Sequence, residues 1–237
     1  MWTDAIDLRD FYDSALGRVA RRMIGRRVRE LWPDVRGLNV LGFGYATPFL
    51  GVFRLEAQRV IAVMPAGQGV VHWPRAGGGL TALAGETSLP FPDRCIDRIL
   101  MVHALESTEQ TRPMLREVWR VLADGGRLLV VTSNRRGVWS RFERTPFGHG
   151  RPYSPGQLSR GLCETMFEPY RIATALYVPP FHSRMILSSA PAWEKVGQRW
   201  FSGFAGVAMV EATKQIYGSQ MVFSEANNKA YAPIATR

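Results

Sequence analysis

Leu38-Asn39-Val40-Leu41-Gly42-Phe43-Gly44-Tyr45-Ala46-Thr47 decides how this chain is read. A short apolar run, Leu38–Leu41, leads straight into a Gly-x-Gly turn. Pro48 then opens a helix, at a position where its missing N–H costs nothing. Only a residue without a side chain lets the backbone turn that tightly and lets a ligand approach the main chain. Strand, glycine turn and helix in this order predict the floor of a nucleotide-type pocket.

Outward from this stretch, strand and helix alternate. Arg59–Met64, Leu80–Ala84 and Ile96–Val102 read as further strands. A helix is expected over Thr108–Leu122, with Met114, Val118 and Leu122 on one face. Asp124-Gly125-Gly126 is expected to turn the chain into a fifth strand, Arg127–Thr132. The strands are continuous apolar runs, the pattern of strands covered on both faces, so the fold class is α/β with a parallel, doubly wound, Rossmann-like sheet.

Upstream, residues 8–31 predict one amphipathic helix. Leu16, Ala20, Met23, Ile24, Val28 and Leu31 form its apolar stripe, and Arg18, Arg21, Arg22, Arg26 and Arg29 its other side. Downstream of Ser133 an Arg-rich loop carries Arg135, Arg136, Arg141, Arg144 and Arg151. Ser154-Pro155 then opens a helix. A sixth strand is expected over Tyr170–Tyr177, a helix over Ala190–Phe201 and a seventh strand over Gly206–Tyr217. Residues 1–217 are thus expected to form a single domain: a leading helical segment (1–37), a cofactor-binding core (38–132) and an acceptor-side region (133–217). Residues 218–237 read as a loose tail.

With 46% apolar and 21% charged residues, the composition is that of a soluble globular protein. No apolar run approaches the roughly 18 residues of a membrane span. Asp4, Asp7 and Asp10 replace the basic start of an export signal, so a cytoplasmic location is expected. Cys95, Cys163, His72 and His182 have no metal-ligand spacing, so no metal site is expected. The formal net charge is +10, and all 30 basic residues except Lys195, Lys214 and Lys229 are Arg. Planar guanidinium forks suit phosphate and carboxylate, which points to an acidic partner or surface reached through Arg18, Arg22, Arg26 and Arg29. A solvated basic face, or a coding bias toward Arg, accounts for the same residues without a partner.

Three segments together resemble the class I S-adenosylmethionine-dependent methyltransferases, of the type 11 kind. They are Val40–Ala46 at the place of the family's glycine loop, Leu89-Pro90-Phe91-Pro92-Asp93 leading through Ile96-Asp97 into a strand, and Leu115–Val131 with its Asp-Gly-Gly turn. The resemblance implies a seven-stranded sheet with an antiparallel last strand and helices on both faces. It also implies methyl transfer from S-adenosylmethionine to an unidentified acceptor, in which the protein mainly holds the reacting atoms in line. A small-molecule or lipid-like acceptor fits the aromatic and Pro residues after the fifth strand; RNA fits the Arg excess but is the weaker fit, since no aromatic–basic recognition module is visible.

By the same resemblance, cofactor contacts are expected at Gly42, Gly44, Tyr45, Met64, Glu86, Leu89 and Glu106. His103, after the fourth strand, is either a catalytic base or a packing partner of the cofactor's methionine portion. His149 and Tyr153 belong either to an acceptor lid or to a loop tied to the core. This chain departs from the family at two places. Leu41 precedes the glycine loop where an acid is usual. Met64 stands where an Asp or Glu would accept hydrogen bonds from the ribose, a loss of about 1.5–3 kcal/mol. Gln68 is the nearby polar candidate to replace that acid. These departures leave open a non-catalytic, methyltransferase-like binding or regulatory protein. A dinucleotide oxidoreductase would need Gly at Thr47 and an acid near Met64, and has neither.

Overall fold

Ser14 ends one helix and begins the next. The computed structural model describes residues 3–181 and 183–215. Helix α1 (Ala5–Asp13) starts at Asp4, whose carboxylate accepts from Ile6 N at 2.7 Å. Helix α2 (Ala15–Leu31) starts at Ser14, which is extended (φ −67°, ψ 163°) and accepts from Gly17 N at 3.0 Å. The single helix expected over 8–31 is therefore two. A capping hydroxyl satisfies backbone donors that a continuous helix would have used, and this overrides the unbroken apolar stripe. Gly17 seals the corner, because a Cβ there would lie 1.9 Å from Phe11 O.

Strand β1 (Asn39–Gly44) is followed by the short α3 (Thr47–Leu50), β2 (Arg59–Pro65), β3 (Thr81–Ala84) and β4 (Ile96–Val102). Then come α4 (Thr111–Val121), β5 (Leu122–Ser133), α5 (Pro155–Cys163), β6 (Phe167–Ala175), α6 (Arg184–Ser188), α7 (Ala190–Trp200) and β7 (Val207–Lys214). The expected strands and helices are present with ends moved by a few residues, while α6 was not expected. The Asp124-Gly125-Gly126 turn instead lies within β5, as a register irregularity against β4 with Gly125 at φ 76°. Tyr217, the expected tail over 218–237 and His182 lie outside the described residues.

The sheet has seven strands in the order β3-β2-β1-β4-β5-β7-β6. The first five are parallel, and β7 runs antiparallel between β5 and β6. The chain winds outward from β1 to β3 and then returns to β4 on the other side of β1. The carboxyl ends of β1 and β4 thus flank a topological switch point, where ligands of open α/β sheets bind.

Successive residues feed opposite layers. Val40, Leu100, Val102, Leu129 and Val131 pack under α1, α2 and α3. Leu41, Ile99, Met101, Leu128 and Val130 pack under α4 and α5. Each such side chain, fully buried, contributes about 1.5–3 kcal/mol. Among the described residues no helix is long and apolar enough to cross a membrane.

Helix α7 packs against the sheet with an unusual face. It buries Ala190, Glu194 and Gly197, and Glu194 accepts from Tyr177 N at 2.9 Å. Burial pushes the Glu194 carboxyl above the ordinary range, against the opposing pull of Tyr177 N and of Arg26 and Arg27. A carboxyl raised in the folded state supports stability below its unfolded pKa and loses that support as pH rises through the folded value. Glu194→Gln keeps the acceptor and removes the charge. Urea melts should therefore find the variant equal to the parent near pH 4 and more stable than it at pH 7–8.

Candidate functional site

The backbone bend after β1 falls at Gly44, which has φ 77°. A Cβ there would lie 2.3 Å from Val102 O, so the glycine is required by the approach of β4 itself. Tyr45 N donates to the same carbonyl at 2.8 Å. Gly42 is extended, and a Cβ there would meet Leu50 Cδ1 at 2.5 Å and Ala46 Cβ at 2.8 Å. Both glycines let the chain's own elements close on one another.

His103 follows β4 directly, at φ 51°, and is buried. Its Nε2 lies 2.8 Å from Tyr12 Oη of α1, and its Nδ1 lies 3.3 Å from Glu106 Oε1. The Nδ1 contact lacks hydrogen-bond geometry, since neither Glu106 oxygen has a hydrogen-bond partner, whereas Nε2 and the Tyr12 hydroxyl share a hydrogen bond. Burial, with Tyr45 and Glu106 close by, holds the Tyr12 hydroxyl well above the ordinary tyrosine range, so it remains a donor. Gln68, at the end of β2, donates from Nε2 to His103 O at 3.1 Å. Tyr12 stacks on Tyr45 with ring centroids 5.9 Å apart and planes 12° apart, and Phe147 lies 5.1 Å from the His103 ring. Burial pushes the Tyr45 hydroxyl up to about 12.

Several buried oxygens at this edge have no hydrogen-bond partner: both carboxylate oxygens of Glu106, Oε1 of Gln68, Oγ1 of Thr132 and Oγ of Ser133. They sit at the carboxyl ends of β4, β2 and β5. Leaving such a group unpaired costs about 1–3 kcal/mol, and more for a charge. The loop after β5 closes over them. Arg151 N donates to Glu106 O at 2.8 Å, and a Cβ on Gly150 would lie 2.4 Å from that oxygen.

The structure thus brings Gly44, Tyr45, His103 and Glu106 together at the switch point, joined by Gln68. Met64 is fully buried in the layer beneath α1 and α2, beside Leu83 of β3. Leu89 packs in the opposite layer, its N donating to Glu117 Oε1 at 2.7 Å. Glu86 accepts from Gln110 Nε2 at 3.3 Å, while its Oε2 is buried and unpaired. His149 is exposed, and Tyr153 is tied to the end of β5 through Tyr153 N to Ser133 O at 3.0 Å. Tyr12, Thr132 and Ser133 were not singled out from the sequence. A tyrosine four residues before Leu16 on the apolar stripe reads as core, and only the Ser14 corner aims it at the sheet edge. Among the described residues no group of three or more His, Cys, Asp or Glu is arranged to hold a metal ion.

A model of the methyltransferase domain family matches residues 37–130. The match covers less than half of the chain, and together with the sheet order it marks a methyltransferase-like domain with the class I methyltransferase fold. An S-adenosylmethionine-dependent methyltransferase from Thermotoga maritima, described as a possible histamine N-methyltransferase, superposes with a TM-score of 0.61 at 20% identity, over 84% of this chain and 91% of that one. One from Mesorhizobium loti superposes with a TM-score of 0.58 at 14% identity, over 86% of this chain and all of the other. An uncharacterized Mycobacterium tuberculosis protein, Rv2003c, is 26% identical over 219 residues, covering 88% of this chain and 72% of its own length.

The Tyr12–His103 bond is a principal polar tie between α1 and the sheet. Tyr12→Phe should lower stability by about 1–2 kcal/mol, since it leaves a buried imidazole nitrogen unpaired. For a chain of this size that is about 2–8 °C in the melting temperature, readable by differential scanning fluorimetry.

Proposed function

We propose that this protein transfers a methyl group from S-adenosylmethionine to a small-molecule acceptor at the carboxyl edge of β4 and β5. The observation that supports this reading is the set of unpaired buried oxygens around Glu106. A buried carboxylate that faces an imidazole and finds no donor calls for a cationic guest. The ammonium of the cofactor's amino-acid end has that chemistry. Glu106 would hold it, with Gln68 Oε1 as a second acceptor. The bound cofactor supplies an activated methyl on a sulfonium, itself an excellent leaving group. The chain's part is then to orient and to exclude water, with α1 packed on His103 and the loop over residues 146–151 packed on His103 and Glu106. His103 has one ring nitrogen on Tyr12 and the other facing Glu106. In this arrangement it positions those two groups, and it gains a free nitrogen for an acceptor's proton only when Tyr12 moves away.

The ribose side fits less well. Met64 offers no acceptor for a diol, and Tyr12, Tyr45 and Phe147 fill the space beside His103. This favours a second reading, a methyltransferase-like binding or regulatory protein that does not hold the cofactor.

Calorimetry with S-adenosylhomocysteine separates the two. The first reading expects measurable binding that Glu106→Gln weakens about tenfold or more, the value of a charge-assisted bond. It also expects Met64→Asp to tighten binding by about ten- to a hundredfold. The free variant should melt lower, because a carboxylate is then buried unpaired. Folded protein that gives no binding heat at millimolar ligand selects the second reading.

A further inference from the structure

Helix α7 turns its apolar residues outward. Trp193, Val196 and Trp200 recur at three- and four-residue spacing on one face, and all are exposed, Trp200 to 71%. The face toward the protein carries Glu194 and Gly197 instead. Neighbouring elements extend the patch. Met185 of α6 is 78% exposed, and Phe204, in the turn Ser202–Phe204 that follows α7, is 61% exposed. Soluble proteins rarely leave large apolar side chains gathered in this way without something to cover them.

The charge around this patch has one sign. From residue 183 to 206 the exposed charges are Arg184, Lys195 and Arg199, and the one acid, Glu194, is buried on Tyr177 N. Arg199 lies over the Trp200 ring, 5.8 Å from its centroid. Phe204 also lines a shallow cleft of about 610 Å³ whose other walls include Arg135, Arg136, Arg141 and Gln157. All three arginines are exposed, and Glu143 is the acid on the same loop. The turn that carries Phe204 is fixed to the end of β5, since Asn134 Nδ2 donates to Gly203 O at 3.1 Å and to Ala205 O at 2.8 Å. Phe204 thus joins the end of α7 to the arginine cleft that it lines.

We propose that this surface docks on an anionic membrane, with the aromatic side chains of α7 and Phe204 entering the headgroup boundary and the cleft arginines holding lipid phosphates. Trp and Phe over a helix face flanked by Lys and Arg are the composition of interfacial helices. Guanidinium forks match phosphate oxygens. The aliphatic Met185 and Val196 continue the patch, which suits acyl chains better than it suits nucleotide bases. The proposal does not rest on the methyl-transfer reading, because none of these residues belongs to the cluster around His103.

The test is flotation of the full-length protein with vesicles of phosphatidylcholine, with and without phosphatidylserine. Binding is expected only with phosphatidylserine and should fall as salt rises. Each surface Arg is worth about fivefold, so Arg135→Ala with Arg136→Ala should weaken binding about twenty-fivefold. Trp200→Ser with Phe204→Ser should weaken it at least about tenfold. Circular dichroism melts check that these exposed positions leave the fold intact, and the salt dependence of the parent protein needs no variant. The proposal is overturned by absence of flotation with anionic vesicles, or by flotation that neither pair of substitutions changes. It is equally overturned by a dimer in light scattering that Trp200→Ser separates, or by polyuridine that displaces the vesicles from the protein.

Discussion

The carboxyl ends of β1 and β4 run so close that only a glycine fits at position 44, and the arrangement at this edge depends on that contact. A Cβ would sit 2.3 Å from Val102 O. The positive φ of Gly44 brings Tyr45 N onto that same carbonyl, and the chain leaves β4 through a left-handed residue, His103. A histidine in that conformation is uncommon and is held only where the surroundings dictate it. Here Tyr12, Gln68, Glu106 and Phe147 do so from four separate segments. The switch point supplied by strand order carries a specific buried polar cluster because two backbones meet there without side chains between them.

That cluster carries an imbalance. Folded proteins pair nearly all their buried polar groups, yet five oxygens of Glu106, Gln68, Thr132 and Ser133 are left without partners within one edge of the sheet. The apolar surroundings, with Tyr12, Tyr45 and Phe147 as walls, sharpen the cost by keeping the local dielectric low. At the end of β2 the opposite holds: Met64 is packed and satisfied. The edge is thus polar and unpaired around Glu106 and apolar and closely packed at Met64.

Much of this was legible in the sequence, and the failures have physical causes. Ile96–Val102 reads as a buried strand from its unbroken apolar run, and β4 has those bounds. His103 and Glu106 are placed by counting past that strand. The break at Ser14 was not legible, because apolar periodicity continues across it, and one hydroxyl bonded to Gly17 N outweighs the pattern. Tyr12 was hidden for the same reason: its partner His103 lies 91 residues away, and no local rule joins them. Gly42 has a packing role that the sequence did not reveal. It is small to make room for Leu50 and Ala46 of the following helix, and a ligand and a neighbouring side chain make the same demand on a sequence. Of the arginines on α2, Arg29 is bound to Glu56 through two bonds of 2.6 and 2.9 Å, so it is not free for a partner in the way the bare sequence allows.

The corner at Ser14 has a mechanical meaning. Because α1 carries its own cap and stops before α2 begins, it is a short rod joined by a single extended residue. It rests on the sheet edge through Tyr12 on His103, Phe11 against Phe147 and Asp13 paired with Arg75. Detaching it would break those side-chain contacts and expose Ala5 and Leu8, which α1 buries in the core, yet would unwind no turn of either helix. The hold of this prefolded piece on the sheet edge is thus written in residues 5 to 13, remote in sequence from every strand it rests on.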